Sequence, residues 1–219
     1  MYRFLRLKST LVYCYVMGEF SLYNFIIIIG CLLVAMTVHE FMHAYVGLKL
    51  GDSTARDAGR VSLNPRDHID PFMTVVLPAI TWAVFHVLFL AAKPVPFNPG
   101  RVKYDEYGAA MIAAAGPLAN LALAVLTAFV LKTVALSGVA YDVLSMSLLL
   151  NVGLFVFNLV PIPPLDGSRV LYAFAPESFQ ELMERIEPYG FVIILALVVM
   201  GGFGGWLGNI NEAVLRAIL

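Results

Sequence analysis

Apolar residues fall in long runs along this 219-residue chain, and the intervals between the runs are short, polar and rich in proline. A helix needs ~20 mostly apolar residues to cross the hydrocarbon of a bilayer. Four runs meet that length, at 22–48, 108–132, 142–160 and 188–206, and each predicts a full transmembrane helix. A fifth run, 71–92, holds Pro71, Pro78 and His86 and leads into KPVPFNP, which cannot continue a helix. Polar stretches at 49–70 and 93–107 flank it, while 161–187 opens with PIPPLDGSR and continues as a predicted short surface helix, PESFQELMERIEP. GRVSLNP (59–65) and KPVPFNP (93–99) each resemble a short strand ended by proline, so a small membrane-associated β element is expected beside the fifth run. Its edge would hold a substrate segment in extended form.

The pattern thus predicts an all-α polytopic membrane protein. Residues 1–21 form an N-terminal extension, 22–206 a single membrane-embedded domain and 207–219 a C-terminal tail. Arg3, Arg6 and Lys8 precede a short apolar run with no small-residue cleavage site, so the extension is expected to be retained, although Met17 could equally begin the chain.

Composition strengthens the membrane reading, because 60% of residues are hydrophobic and 13% charged, against ~25% charged in soluble domains. A net charge of −1 without a long basic run gives no reason to expect a nucleic-acid partner. The two cysteines, Cys14 and Cys31, indicate neither a disulfide framework nor a metal-binding pair.

The first span carries chemistry. His39-Glu40-Phe41-Met42-His43 is an HExxH pattern, and on a helix residues i and i+4 share a face. His39 and His43 can therefore bind one zinc ion while Glu40 reaches the water on it. Three ionisable groups within five residues of a span are poorly explained by packing alone. A catalytic zinc takes three protein ligands, and soluble HExxH proteases supply a third His six residues on or a Glu on a later helix. Here residue 49 is Lys49 and no Glu lies between Glu40 and Glu106, so both templates fail. Asp52, Asp57, Asp67 and Asp70 share a loop with Arg56, Arg60 and Arg66, where solvated pairing is the simpler reading. Asp166 stands among prolines and apolar residues directly after a span, which makes it the expected third ligand.

With these residues the chain resembles the site-2 proteases, the intramembrane metalloproteases that cut transmembrane substrates in regulated intramembrane proteolysis. The resemblance runs from about 22 to 172 through HEFMH, GRVSLNP, KPVPFNP, AGPLAN (115–120) and NLVPIPPLDGSRV (158–170). It implies His39, His43 and Asp166 as zinc ligands, Glu40 as catalytic base and Asn158 as polar partner of the reacting carbonyl. It also implies a minimal-core member without a PDZ or CBS domain, in a prokaryotic plasma membrane. Asn158 could instead cap loose carbonyls at a helix end, and Asn120 serves close helix packing more readily than chemistry. His68 and His86 are expected to be hydrogen-bonded structural histidines. The competing reading is a membrane metal-binding or transport protein, in which Glu40 has no hydrolytic task.

Topology follows from parity. The histidines lie towards the C-terminal end of the first span and Asp166 follows the end of the 142–160 span, so both ends must share one membrane face. The run 71–92 is therefore predicted to be a re-entrant hairpin, giving four full crossings. The face carrying 49–107 and 161–187 then holds nine of the 14 Lys and Arg residues, which makes it cytoplasmic, with the active site opening there.

Overall fold

A computed structural model describes residues 21–85, 93–200 and 202–219. Three helices are long and apolar enough to cross a membrane: α1 (Leu22–Lys49), α3 (Asp105–Thr133) and α4 (Val139–Asn158). Between the first two lies α2 (Leu77–Phe85), preceded by a π-helical turn at Phe72–Val76. After α4 come α5 (Asp166–Tyr172), α6 (Glu177–Ile186), α7 (Gly190–Val199) and α8 (Phe203–Ile218).

The directions of the long helices follow from their end contacts. Near the N-terminal ends of α1 and α4, the Tyr23 hydroxyl donates to the Asp142 carboxylate at 2.7 Å. One to two turns further along, Ile27 and Cys31 pack on Met146, so α1 and α4 run parallel. At the other end the Lys103 N–H donates to the Leu50 carbonyl at 2.9 Å, so α3 starts where α1 finishes and returns antiparallel to it. The segment between does not change ends, since the Lys93 N–H donates to the His68 carbonyl at 3.1 Å. Whatever 69–92 does, it leaves and returns at one end of the bundle. The second limb of the expected hairpin, with His86, falls at 86–92 outside the described residues, as do Cys14 and almost all of the 1–21 extension.

Three expectations need correction. Among the described residues there is no strand, so the β element at 59–65 and 93–99 is absent. The two stretches are tied at one point, where the Lys93 N–H donates to the His68 carbonyl and the Lys93 carbonyl accepts from the Arg60 guanidinium. A ladder cannot extend from that tie, because Pro94, Pro96 and Pro99 remove the N–H groups it would use. Secondly, the single span expected at 188–206 is replaced by a bent pair, the helical run Glu177–Val199 that ends in α7 and then α8, which meet at 86°, so the described helices number three crossings, or four if the bent pair counts as one. Gly202 stands at the corner with φ 80°, in the left-handed region that a side chain disfavours. The pair nonetheless joins opposite ends of the bundle: Gly190 begins it hard against the Pro163 carbonyl, and the Ile218 carbonyl accepts from Lys132 Nζ at 3.1 Å.

The third correction concerns Asp52, which is buried rather than solvated. Burial alone would raise its carboxyl, but hydrogen bonds from the Thr54 hydroxyl and from the Asn98 and Thr54 N–H groups hold it below the ordinary carboxylate range. It thereby fastens the 93–98 stretch to the end of α1. Asp57 pairs with Arg56 on the surface as expected.

Lipid-facing and inward-facing sides separate cleanly on α3. Leu118, Val125, Leu126 and Phe129 are exposed, whereas Gly116, Asn120, Ala124, Ala128 and Leu131 are buried. The larger apolar core lies in its C-terminal half, where Ala124, Ala128 and Leu131 meet Leu148, Val152 and Val156 of α4. Leu207, Ile210, Val214 and Ile218 of α8 cover that cluster, so residues 207–218 pack as helix on the bundle.

Candidate functional site

One stripe of α1 reads Ala35, His39, His43, Gly47, each buried and each four residues from the next. Small residues above and below the histidines let α3 approach closely, a packing mode that membrane helices favour. The counterpart on α3 is Gly116: a methyl group there would fall on His43 Nε2 and stand 2.7 Å from His39 Nε2. Glycine at 116 is thus a requirement of the histidine pair itself.

Asp166 arrives from the other side as the first residue of α5. The chain reverses tightly between α4 and α5, and Gly167 lies so near the Leu159 carbonyl that any Cβ would collide with it. Val160 and Leu165 anchor this turn by burying against Ile194 of α7. Asp166 Oδ2 then lies 3.2 Å from His39 Nε2 and 3.3 Å from His43 Nε2, and the two Nε2 atoms are 2.9 Å apart.

The tautomers can be derived from their partners. His43 Nδ1 lies 2.7 Å from the Ile112 carbonyl, which can only accept, so Nδ1 carries the proton. His39 Nδ1 lies 2.6 Å from Asn120 Oδ1, also an acceptor, so its Nδ1 is protonated too. Neutral rings in these tautomers present bare Nε2 lone pairs to one another and to a carboxylate. The short Nε2 separation is therefore not a hydrogen bond, and Asp166 Oδ2 is a buried oxygen without a hydrogen-bond partner. Three ligand atoms converging in this way are placed to share a cation. Nitrogens about 2.0–2.1 Å from a tetrahedral zinc stand ~3.3 Å apart, close to the spacing observed, and two imidazoles with a carboxylate form a set that zinc accepts. Among the described residues this is the one group of three His, Cys, Asp or Glu side chains placed to hold a metal ion.

Glu40 is half-buried beside His39, and among the described residues no hydrogen-bond partner occupies its carboxylate. Asn158 ends α4, where its amide donates to the Leu154 carbonyl at 3.0 Å. His68 is buried with Nε2 on the Ser62 carbonyl at 2.7 Å, a structural placement as expected. Sequence reasoning set Asn120 aside as packing, yet it holds His39; Asn151, which holds Asn120 in turn, was missed. The signal available was a fully buried amide in the same apolar face as Gly116, one turn apart.

Beside the Asp166 turn, a cavity of about 490 Å³ opens between α3, α5 and α6. Phe97, Glu106, Pro163, Arg169, Tyr172 and Glu184 are among its walls, and none of the three converging groups lines it. Within it the Tyr172 hydroxyl donates to Glu184 at 2.7 Å; that bond, with burial and the carboxylates of Glu184, Glu106 and Glu187, pushes its pKa up to about 12.

Two histidines and an aspartate placed to hold a metal ion, set among helices long and apolar enough to cross a membrane, point to an integral-membrane metallohydrolase. Comparison with known proteins agrees. Residues 132–201 match the profile of peptidase family M50. The candidate zinc metalloprotease YwhC of Bacillus subtilis is 35% identical over 188 residues, covering 80% of this chain and 82% of its own. Rip2 of Mycolicibacterium smegmatis, likewise a candidate zinc metalloprotease, is 29% identical over 194 residues, 83% of this chain and 70% of its own. MJ0611 of Methanocaldococcus jannaschii, of the same description, is 30% identical over 153 residues, 70% of this chain and 73% of its own. No solved structure matches the chain. The chain belongs to peptidase family M50. It is an intramembrane zinc metalloprotease, and nothing favours the transport reading.

Proposed function

We propose that His39, His43 and Asp166 hold the catalytic zinc ion, and that Glu40 serves as general base in hydrolysing peptide bonds in or near transmembrane segments of substrate proteins. The observation that carries this reading is the convergence of His39 Nε2, His43 Nε2 and Asp166 Oδ2 within 3.3 Å of one another. Bound there, zinc supplies the Lewis acidity that activates water and polarises the scissile carbonyl. Glu40, half-buried and next to His39 on the helix, takes the proton from the attacking water and returns it to the leaving amine. Asn158 commits one amide hydrogen to Leu154 and keeps the other for the oxyanion that develops on the carbonyl. A helical substrate shields its carbonyls in i to i−4 hydrogen bonds, so the cleaved stretch is bound unwound.

The topology proposed with it has four crossings, the fourth made by the bent α7–α8 pair, and a re-entrant hairpin at 71–92. The tie between His68 and Lys93 supports the hairpin, and the contacts of Gly190 and Ile218 with opposite ends of the bundle support the fourth crossing. Nine of the 14 Lys and Arg residues fall at the Asp166 end, which supports an active site opening towards the cytoplasm. Relatives in two bacteria and an archaeon favour a prokaryotic plasma membrane.

The test is the purified full chain in vesicles with a single-span substrate. Cleavage in or near the span, abolished by a chelator and restored by zinc, is expected; cleavage that survives complete removal of metal would refute the reading.

A further inference from the structure

On α4, one residue with no place in the motifs is buried to 1% exposure beside the site: Asn151. Its amide nitrogen donates to the Ser147 carbonyl at 2.8 Å. A backbone carbonyl can only accept, so the Asn151 side chain cannot be turned over without setting oxygen against oxygen. Its Oδ1 consequently points at α3, where it accepts from Asn120 Nδ2 at 2.8 Å. Asn120, fully buried, sends its other amide hydrogen to the Ala35 carbonyl of α1 at 3.2 Å, one turn before His39. Both hydrogens of Asn120 are then spent, and only its oxygen remains to face His39 Nδ1 at 2.6 Å.

We propose that Asn151 is a positioning residue for the zinc site: through Asn120 it fixes the tautomer and ring plane of His39, so that Nε2 presents its lone pair towards His43 and Asp166. This rests on the reading of His39 as a zinc ligand. The relay runs from α4 through α3 to α1, and each direction in it is dictated by an acceptor-only backbone carbonyl, at Ser147 and at Ala35. It does for His39 what the Ile112 carbonyl does directly for His43. A ligand histidine is commonly held by a carboxylate or carbonyl at its second nitrogen, and loss of such support lowers metal affinity ~10–100-fold. In hydrocarbon a neutral amide chain provides the same acceptor without a charge to bury. The shorter of Asn120's two donor bonds goes to Asn151, so removing Asn151 frees Asn120 to turn and His39 to take the other tautomer.

The experiment measures zinc affinity by chelator competition, and the state of His39 by ¹⁵N NMR of histidine-labelled, metal-free full chain in lipid. Asn151→Leu and Asn151→Ala are expected to lower zinc affinity ~10-fold or more and to turn a single Nδ1–H tautomer of His39 into a mixture. Asn151→Asp, neutral when buried, keeps an acceptor for Asn120 and a donor for Ser147, and should restore both readouts. Ser147→Ala removes only the longer contact of the Asn151 amide, to the Ser147 hydroxyl at 3.3 Å, and should change neither readout, because the backbone carbonyl at 2.8 Å remains. Wild-type affinity with a single His39 tautomer in the folded Leu or Ala variant would overturn the proposal, as would an Asp variant as weak as the Leu variant. A mere packing defect would lower stability without altering the tautomer. Full zinc retention in His39→Ala would instead refute the ligand reading on which the proposal rests.

Discussion

The two halves of α3 do different work with the same partners. In its N-terminal half, Gly116 and Asn120 meet the histidines of α1 and the amide of Asn151 on α4, through contacts with fixed direction. In its C-terminal half, Ala124, Ala128 and Leu131 meet Leu148, Val152 and Val156 in an apolar cluster. Lipid tails are as apolar as leucine, so the second half gains little from exclusion of water and is held by close packing of small against branched residues. The first half adds hydrogen bonds whose donors and acceptors are determined by backbone carbonyls. Packing sets how the helices lie; the polar half sets where the two imidazoles point.

That division can be broken most severely at Asp166. Asp166→Ala should leave the helices associated, yet reduce both zinc content and cleavage to background, as read by metal analysis and a transmembrane-substrate assay on the same preparation. Full zinc and full cleavage in that variant would mean that another group completes the site.

Gly116→Ala is the next largest change. Its methyl group collides with both imidazoles, and displacement of a catalytic group by ~1 Å costs about 10²-fold in rate. Cleavage should fall on that scale while helix content by circular dichroism stays at the wild-type level.

Leu148→Ala probes the other half. Deleting a buried leucine typically costs ~2–5 kcal/mol, and the expectation here is the lower end, because the unfolded reference remains in an apolar solvent. Denaturation in detergent should shift accordingly with zinc content per chain unchanged. A loss of zinc without loss of stability would show that the halves are not separable.

The smallest effect lies outside both, at Asp52, whose carboxyl is held below its usual value by the Thr54 and Asn98 hydrogen bonds. A depressed folded-state pKa contributes stability above the unfolded value of ~4, and that stability is lost as pH falls through the folded value. Proteolysis or hydrogen exchange in the 93–98 stretch should therefore rise only below about pH 4. Asp52→Asn should remove this acid dependence.

Much of the candidate site was legible in the sequence because ionisable groups in a span have few reasons to be there. His39, Glu40, His43 and Asp166 could be picked out on that ground, and shared membrane face follows for the ends of α1 and α4. Polar groups that are neutral and buried left no such trace. Asn151 looks like any amide in an apolar run, and its partner Asn120 is 31 residues away on another helix. Asp52 sits among arginines in the sequence, and only the fold reveals that backbone N–H groups, not guanidinium, satisfy it. GRVSLNP and KPVPFNP resemble strands ended by proline, yet Pro94, Pro96 and Pro99 deny the stretch 93–99 the donors a ladder needs. The corner between α7 and α8 was lost because hydropathy averages over Gly202, whose backbone angle breaks the span.

The central claim is that one zinc site, with Glu40 as its base, does the hydrolysis. Its most direct test is Glu40→Gln, with zinc content and cleavage of a transmembrane substrate measured side by side on purified full chain. The account predicts one zinc per chain, as in wild type, with cleavage lowered by ~10²-fold or more. Undiminished cleavage in a zinc-loaded Gln variant would contradict it.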